Sequence, residues 1–201
     1  MLHAHLMGIG PFFEDVASRL PASSFAQTPH PSSIYDSTHW PAARARVFVT
    51  SGRDRSAEQH LEDVVWGSLQ TLIPVQLEAR SVRVGPVITP GRSACLRCFD
   101  RRQEQHGRRG ATDVALDHAK DGTVAVTGHA PAHANMVATV LEGVTYSEER
   151  LLAAASSVWR FGFADLSVKE AVVIPVSGCR RCDRARENEP RSLHLSQYFP
   201  R

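Results

Sequence analysis

The sequence predicts an α/β fold with a mixed sheet, on three observations. Apolar strand-like runs alternate with segments of helical periodicity through the first half of the chain. Two β-rich runs near the end, Val158–Phe163 and Ser167–Ile174, follow each other closely and read as an antiparallel pair. All four cysteines fall in two Cys-x-x-Cys pairs, Cys95/Cys98 and Cys179/Cys182, which a fold must bring together across the 80 residues between them.

Taken in order, Leu2 to Gly10 reads as a strand entering a glycine turn. Phe12, Phe13, Val16, Ala17 and Leu20 then recur at helical spacing, which predicts a helix over Phe12–Leu20. Pro21–Arg46 is rich in Pro, Ser, Thr and His, and Pro29, Pro31 and Pro41 break any long helix, so a loop or irregular crossover is expected. Val47, Phe48 and Val49 make Arg46–Thr50 a strand ending at Ser51-Gly52. Ser56 is placed to cap a helix reaching Thr71, with Leu61, Val64, Val65, Leu69 and Leu72 inward. Ile73–Leu77 and Val82–Ile88 are further strands, the second broken at Gly85-Pro86, and Pro90-Gly91 turns the chain into Cys95. The polar stretch Arg101–Gly122 has room for one short helix over Asp113–Lys120. Pro131–Thr145 reads as a helix with Ala134, Val137, Ala138 and Leu141 on one face, and Ser147 caps another short one.

At 201 residues the chain can bury one substantial core. A formal net charge of +2 gives no whole-chain argument for nucleic acid. The N-terminus lacks the cationic-then-apolar order of a signal peptide, and no run approaches membrane-spanning length. Thiols paired for metal fit a reducing compartment. A cytoplasmic protein without a membrane partner is the simple reading.

Two Cys-x-x-Cys pairs supply the four thiolates of a tetrahedral zinc ion, each pair reaching two adjacent corners. Such a closed site has no open position for water, so the zinc would be structural. Two disulfides or a thioredoxin-like pair are the alternatives. Arg92, Arg97, Arg101, Arg102, Arg108 and Arg109 surround the first pair, and Arg180, Arg181, Arg184, Arg186 and Arg191 the second. They would offset the charge of a tetrathiolate site; a nucleic-acid or other anionic surface is the competing reading. His129 and His133 stand four residues apart, but Pro131 between them marks a helix start rather than a metal pair. No Gly-x-Ser-x-Gly elbow is present.

Gly8-Ile-Gly10 between a strand and a helix resembles the opening of a nucleotide-binding fingerprint, but Phe13 occupies the third glycine position. The tight turn alone also accounts for both glycines.

The block Val82-Arg-Val-Gly-Pro-Val-Ile-Thr-Pro-Gly-Arg-Ser-Ala-Cys-Leu-Arg-Cys98, followed by Val173-Ile-Pro-Val-Ser-Gly-Cys-Arg-Arg-Cys182, resembles a family. It is similar to the ThiF-like, ubiquitin-activating-type domains of azole-forming peptide clusters (the TOMM, or ocin-ThiF-like, proteins), which partner YcaO enzymes. The resemblance covers Val47 to Cys182 and, more loosely, the N-terminal strand and helix. It implies a reduced Rossmann-like ThiF-type domain with a mixed sheet and a four-cysteine zinc lobe. The chain would be a single truncated domain over residues 1–201, with the zinc lobe formed by about 90–110 and 174–186. A twofold homodimer is also implied, with Val64, Val65 and Leu69 as either interface or core.

Departures from the family shape the expected function. Active relatives adenylate a carboxylate through a full glycine motif, an acidic residue ending the second strand, and downstream Arg and Lys. Here Pro21–Arg46 carries no Lys and no acidic strand end, and Asp54-Arg55 are either remnants of a metal-nucleotide site or charges at a helix start. The chain also starts almost directly with its first strand, without the winged-helix module that captures leader peptides. The resemblance therefore implies a non-catalytic, zinc-bound scaffold that recruits a precursor peptide or a YcaO-type cyclodehydratase. An ATP-dependent activating enzyme using Gly8, Gly10, Asp54 and Arg55 is the alternative, and a zinc-ribbon nucleic-acid binder the third reading.

Overall fold

A computed structural model describes residues 2–28, 34–107, 128–165 and 167–182. Seven strands form one mixed sheet: β1 (Leu2–Gly8), β2 (Phe25–Thr28), β3 (Ala43–Ser51), β4 (Thr71–Leu77), β5 (Ser81–Val84), β6 (Ser157–Gly162) and β7 (Val168–Val172). Their order is β2-β1-β3-β4-β5-β6-β7. The first four run parallel, and β5, β6 and β7 continue antiparallel. The predicted strands and the late hairpin are thus present, and the mixed sheet is as expected.

Helices α1 (Pro11–Ala17), α2 (Arg55–Ser68), α3 (Leu96–Gln105), α4 (Pro131–Thr145) and α5 (Glu148–Ala153) cover the sheet. Side-chain alternation assigns the two faces. Ala4 and Leu6 of β1, Val47 and Val49 of β3, and Ile73 and Val75 of β4 join Phe12, Phe13 and Val16 of α1 and Val137 and Leu141 of α4 in the larger core. Met7, Phe48 and Leu72 turn the other way, onto Ala57, Leu61 and Val65 of α2. Being covered on both faces, the sheet centre carries continuous apolar runs at Val47-Phe48-Val49 of β3 and Leu72-Ile73-Pro74-Val75 of β4.

Four expectations are corrected. The Pro21–Arg46 segment contains the short edge strand β2 and a 3₁₀ turn over Ser37–His39. One bulky apolar residue, Phe25, gave no periodicity to detect. The cap of α2 is Asp54, whose carboxylate accepts the Ala57 N–H at 2.9 Å, and not Ser56. That helix ends at Ser68, where Leu69 takes a left-handed conformation (φ 55°) and stands 79% exposed instead of inward. Leu72, read as its last inward residue, belongs to β4. Helix α3 begins directly after Cys95, inside a stretch left without a helix. The helix expected over Asp113–Lys120 lies outside the described residues.

Candidate metal centre and the crevice at the strand ends

The two Cys-x-x-Cys pairs meet. Cys95 is the N-cap of α3 and Cys98 lies in its first turn. Gly178 (φ 74°) reverses the chain after β7 so that Cys179 precedes a helical turn beginning at Arg180. All four Sγ atoms lie within 4.8 Å of one another, and all four residues are buried. Cys95 Sγ is 3.6 Å from Cys179 Sγ, and Cys98 Sγ is 3.7 Å from Cys182 Sγ.

These distances discriminate between bonding modes. A disulfide needs about 2.05 Å between sulfurs, so the thiols are unlinked. A tetrahedral ion with metal–sulfur bonds of about 2.3 Å sets its sulfurs about 3.8 Å apart. Four cysteines could therefore hold one metal ion here. The protonation pattern fits the same donor set. A hydrogen bond with the Cys182 thiol, together with burial, pushes Cys95 strongly up. Burial pushes Cys98 up to about 11. Burial acts the same way on Cys179, but hydrogen bonds from the Cys182 backbone, the Cys98 thiol and the Arg181 backbone outweigh it and lower Cys179 to about 7. Cys95 and Cys98 thus resist ionisation while Cys179 favours it, and a divalent ion at the site would favour the thiolate form.

The lobe around these sulfurs is fastened to α2. Glu62, on the buried face of that helix, accepts the Leu96 N–H at 2.6 Å and an Arg181 hydrogen bond at 2.6 Å. Burial holds its carboxyl above the usual range, and the Leu96 N–H and Arg181 act against that rise. Arg181 also pairs with Asp63 and lies over the Trp66 ring, 5.4 Å from its centroid. Arg102 of α3 donates to the carbonyls of Ile174 and Pro175 at 3.0 and 3.2 Å, tying the segment before the second pair. Val176 N–H points at Cys98 Sγ, 3.3 Å away. Arg181 and Arg102 thus engage acids and carbonyls of this chain, a lock between segments rather than a diffuse cationic halo.

A second buried network, which the sequence reading missed, lies beside the lobe. Arg83 of β5, 1% exposed, donates to Glu78 at 3.1 Å, to the Gln76 side chain and to the Gly85 carbonyl. It lies 3.5 Å from Glu58 and 5.0 Å from the Phe99 ring centroid. Arg53, after β3, bridges Glu58 at 3.0 Å and Asp100 of α3 at 2.8 Å. One legible signal was the charged pair Glu58 and Glu62, four residues apart on the Leu61/Val65 face of α2.

Between β1 and β3 the strand order reverses, and the C-terminal ends of these strands form the place where α/β sheets usually take ligands. Gly8 closes β1, and Gly10 (φ 89°) caps α1. At this crevice Phe13 is buried in the larger core, and a Cβ added to Gly8 would stand 2.6 Å from its ring and collide with the Val49 carbonyl. Gly8 is glycine because Phe13 and Val49 leave no room for a side chain. Helix α1 begins with Pro11, which removes one N–H from its first turn. Asp54 is engaged as the cap of α2, and Arg55 is the exposed first residue of that helix. Gly8 and Gly10 thus meet at one crevice, and Asp54 and Arg55 belong to the start of α2.

His129 and His133 are engaged with different partners. His133 Nδ1 accepts the Ala130 N–H at 3.0 Å, while His129 Nε2 lies 3.1 Å from Asp15. Among the described residues the four cysteines are the one group of three or more His, Cys, Asp or Glu able to hold an ion.

No protein-family profile and no curated protein matches the chain. Solved structures do. The chain superposes on the heterocyclase TruD with a TM-score of 0.63 at 13% identity, over 90% of this chain and 27% of that one. It superposes on the E. coli microcin synthetase McbBCD complex at 0.58 and 11% identity, over 89% and 68%. The microcin C7 biosynthetic enzyme MccB, in complex with N-formylated MccA, follows at 0.57 and 11%, over 89% and 67%. The fold is shared with these proteins. This chain spans about a quarter of the TruD chain's length.

Proposed function

We propose that this chain is a catalytically silent, zinc-tied scaffold for modifying a ribosomally made peptide of the azoline- or azole-forming kind. It recruits or positions the precursor peptide for a YcaO-type cyclodehydratase or another tailoring enzyme, and ATP is consumed on that partner. The observation that carries this reading is the Phe13 ring seated against Gly8, where an adenylating enzyme keeps a phosphate cradle open. Adenylation without that cradle lacks its main electrostatic stabilisation. The shared fold with a heterocyclase and two microcin-forming systems supports the peptide-modifying context.

In the same reading, Cys95, Cys98, Cys179 and Cys182 hold zinc, which supplies cross-linking and no open coordination position. Residues 1–201 act as one truncated ThiF-like domain in the reduced Rossmann-like form, with a zinc lobe of about 90–110 and 174–186. The protein works in the cytoplasm, as a twofold homodimer. Among the described residues no helix is long and apolar enough to cross a membrane.

The test combines the full chain with a YcaO-type enzyme, a candidate precursor peptide and Mg-ATP, and follows loss of water from the peptide by mass spectrometry. Dehydrated peptide is expected when both proteins are present and not with either alone. Pyrophosphate release by this chain and precursor without the enzyme would overturn the scaffold reading in favour of adenylation at Gly8 and Gly10.

A further inference from the structure

Helix α2 carries a carboxylate where packing alone would place an apolar side chain. Glu62 is 5% exposed and shares the buried face of the helix with Leu61 and Val65. A buried ion pair is often no more stabilising than well-packed hydrophobic residues of similar volume, so stability by itself does not account for an acid here.

The two oxygens of Glu62 serve the two halves of the cysteine cluster separately. Oε1 accepts the N–H of Leu96, the residue after Cys95, at 2.6 Å. Oε2 accepts from Arg181, the residue before Cys182, also at 2.6 Å. The first bond fixes the plane of the Cys95–Leu96 peptide, and with it the direction in which Cys95 enters α3. The N–H it takes is one that a helix start leaves without an intrahelical partner. The second bond is reinforced from the same helix, because Asp63 pairs with Arg181 and the guanidinium lies 5.4 Å from the Trp66 ring centroid. Glu62 itself is outside the group of four side chains that could hold an ion.

Other ties hold the lobe without reaching Glu62. Arg102 of α3 donates to the carbonyls of Ile174 and Pro175, and Ala94, Phe99, Val158 and Val173 pack with the four cysteines. With these contacts in place, loss of Glu62 leaves a folded lobe whose two halves are no longer held to one carboxylate.

We propose that Glu62 is the positioning residue of the metal centre: by bridging Leu96 and Arg181 it holds the two cysteine pairs in register and sets how tightly the ion is retained. Partners that orient metal ligands act in this way, and their loss typically costs about 10–100-fold in metal affinity. This inference rests on the reading of the four cysteines as a zinc site.

The experiment follows transfer of zinc from the full, zinc-loaded chain to the chromophoric chelator 4-(2-pyridylazo)resorcinol. Glu62→Gln keeps an oxygen for the Leu96 N–H but loses the charge that holds Arg181, and is expected to weaken zinc retention by about tenfold. Arg181→Met should give a similar loss, and the double variant no more than either alone, since both remove one contact. Glu62→Leu also leaves the Leu96 N–H without its acceptor and is expected to approach a loss of about a hundredfold. Leu20→Ala, in the larger core, is the control for general destabilisation. It should lower the thermal midpoint yet retain zinc within about twofold of the native chain. In the cobalt-loaded protein the ligand-field bands, which report tetrahedral geometry, should shift in Glu62→Gln and stay in place in Leu20→Ala.

Unchanged transfer in the folded Glu62 variants overturns the proposal, as do additive losses in the double variant or an equal loss in Leu20→Ala. Should Glu62→Leu misfold by circular dichroism, Glu62→Gln and Arg181→Met carry the test. The two readings fail separately. A chain that holds zinc equally well with and without Glu62 keeps the metal site and loses its positioning residue. A native chain that takes up no zinc removes both.

Discussion

Replacing Arg83 by alanine tests whether the buried charge network beside the metal lobe holds the molecule together. Arg83 is 1% exposed and serves Glu78, Glu58, Gln76 and the Gly85 carbonyl at once. Breaking a buried ion pair costs about 3–5 kcal/mol when the partner is left uncompensated. Here Glu58 retains Arg53 at 3.0 Å and Glu78 retains Arg160 at 3.4 Å, which places the electrostatic loss near the lower bound. Gln76 and Gly85 lose a donor, and Phe99 loses the cation above its ring, adding about 1 kcal/mol. The expected total is about 4 kcal/mol. With a urea slope of about 2 kcal/mol/M, the unfolding midpoint of the metal-loaded protein falls by about 2 M. Arg83→Met, which keeps the stem volume but not the fork, should lose about half as much. A loss below about 1 kcal/mol for Arg83→Ala would show that the carboxylates are solvated and that the network is not the lock described.

Three further outcomes are expected. Cys98→Ser should lower bound metal and raise protease cleavage between Val173 and Cys182, while the far-UV signal of the sheet persists; full retention of metal would contradict a four-thiolate site. Burial, with Arg46 adjacent, depresses His5 from 6.5 to about 4. Its contribution is therefore complete above about pH 6.5 and disappears as pH falls through 4, amounting to about 3 kcal/mol at most. Urea midpoints measured from pH 7 to 4 should fall more steeply in the native protein than in His5→Gln, and parallel slopes would refute the assignment. Gly8→Ala drives a methyl into the Val49 carbonyl and the Phe13 ring, whereas Gly10→Ala meets nothing nearer than Ser51 Oγ at 3.8 Å and suffers mainly its φ of 89°. Thermal denaturation should show the first as the larger loss, with about 1–3 kcal/mol for the second.

The features most legible in the sequence were those whose pattern is local and strong. Pro131–Thr145 shows helical periodicity with proline at its first position, and the structure places a helix at those bounds. Val47-Phe48-Val49 and Ile73-Pro74-Val75 are apolar on both faces, as suits parallel central strands. The cysteine spacing announced that residues near 95 and 180 converge. What escaped was written in tertiary contacts. β2 exists because Ala4 to Met7 offer it a parallel partner, while Phe25-Ala-Gln-Thr28 alone has little strand character. Helix α3 is highly polar apart from Leu96, Cys98 and Phe99, so its buried face is too narrow for periodicity to reveal. Arg83, Arg53, Glu58 and Asp100 lie on four separate elements, and nothing in their spacing says that they meet. Gly8 and Gly10 are visible in the sequence as a glycine pair between strand and helix, but that the Phe13 ring lies against Gly8 is visible only in the fold.

The scaffold proposed for this chain is tied by a metal ion at its four cysteines and binds no nucleotide. The most direct measurement is calorimetric titration of Mg-ATP into the purified full chain, with metal content determined on the same sample. The account predicts one zinc ion per chain and no saturable heat of ATP binding. Saturable Mg-ATP binding, or a stably folded chain that carries no metal, would contradict it.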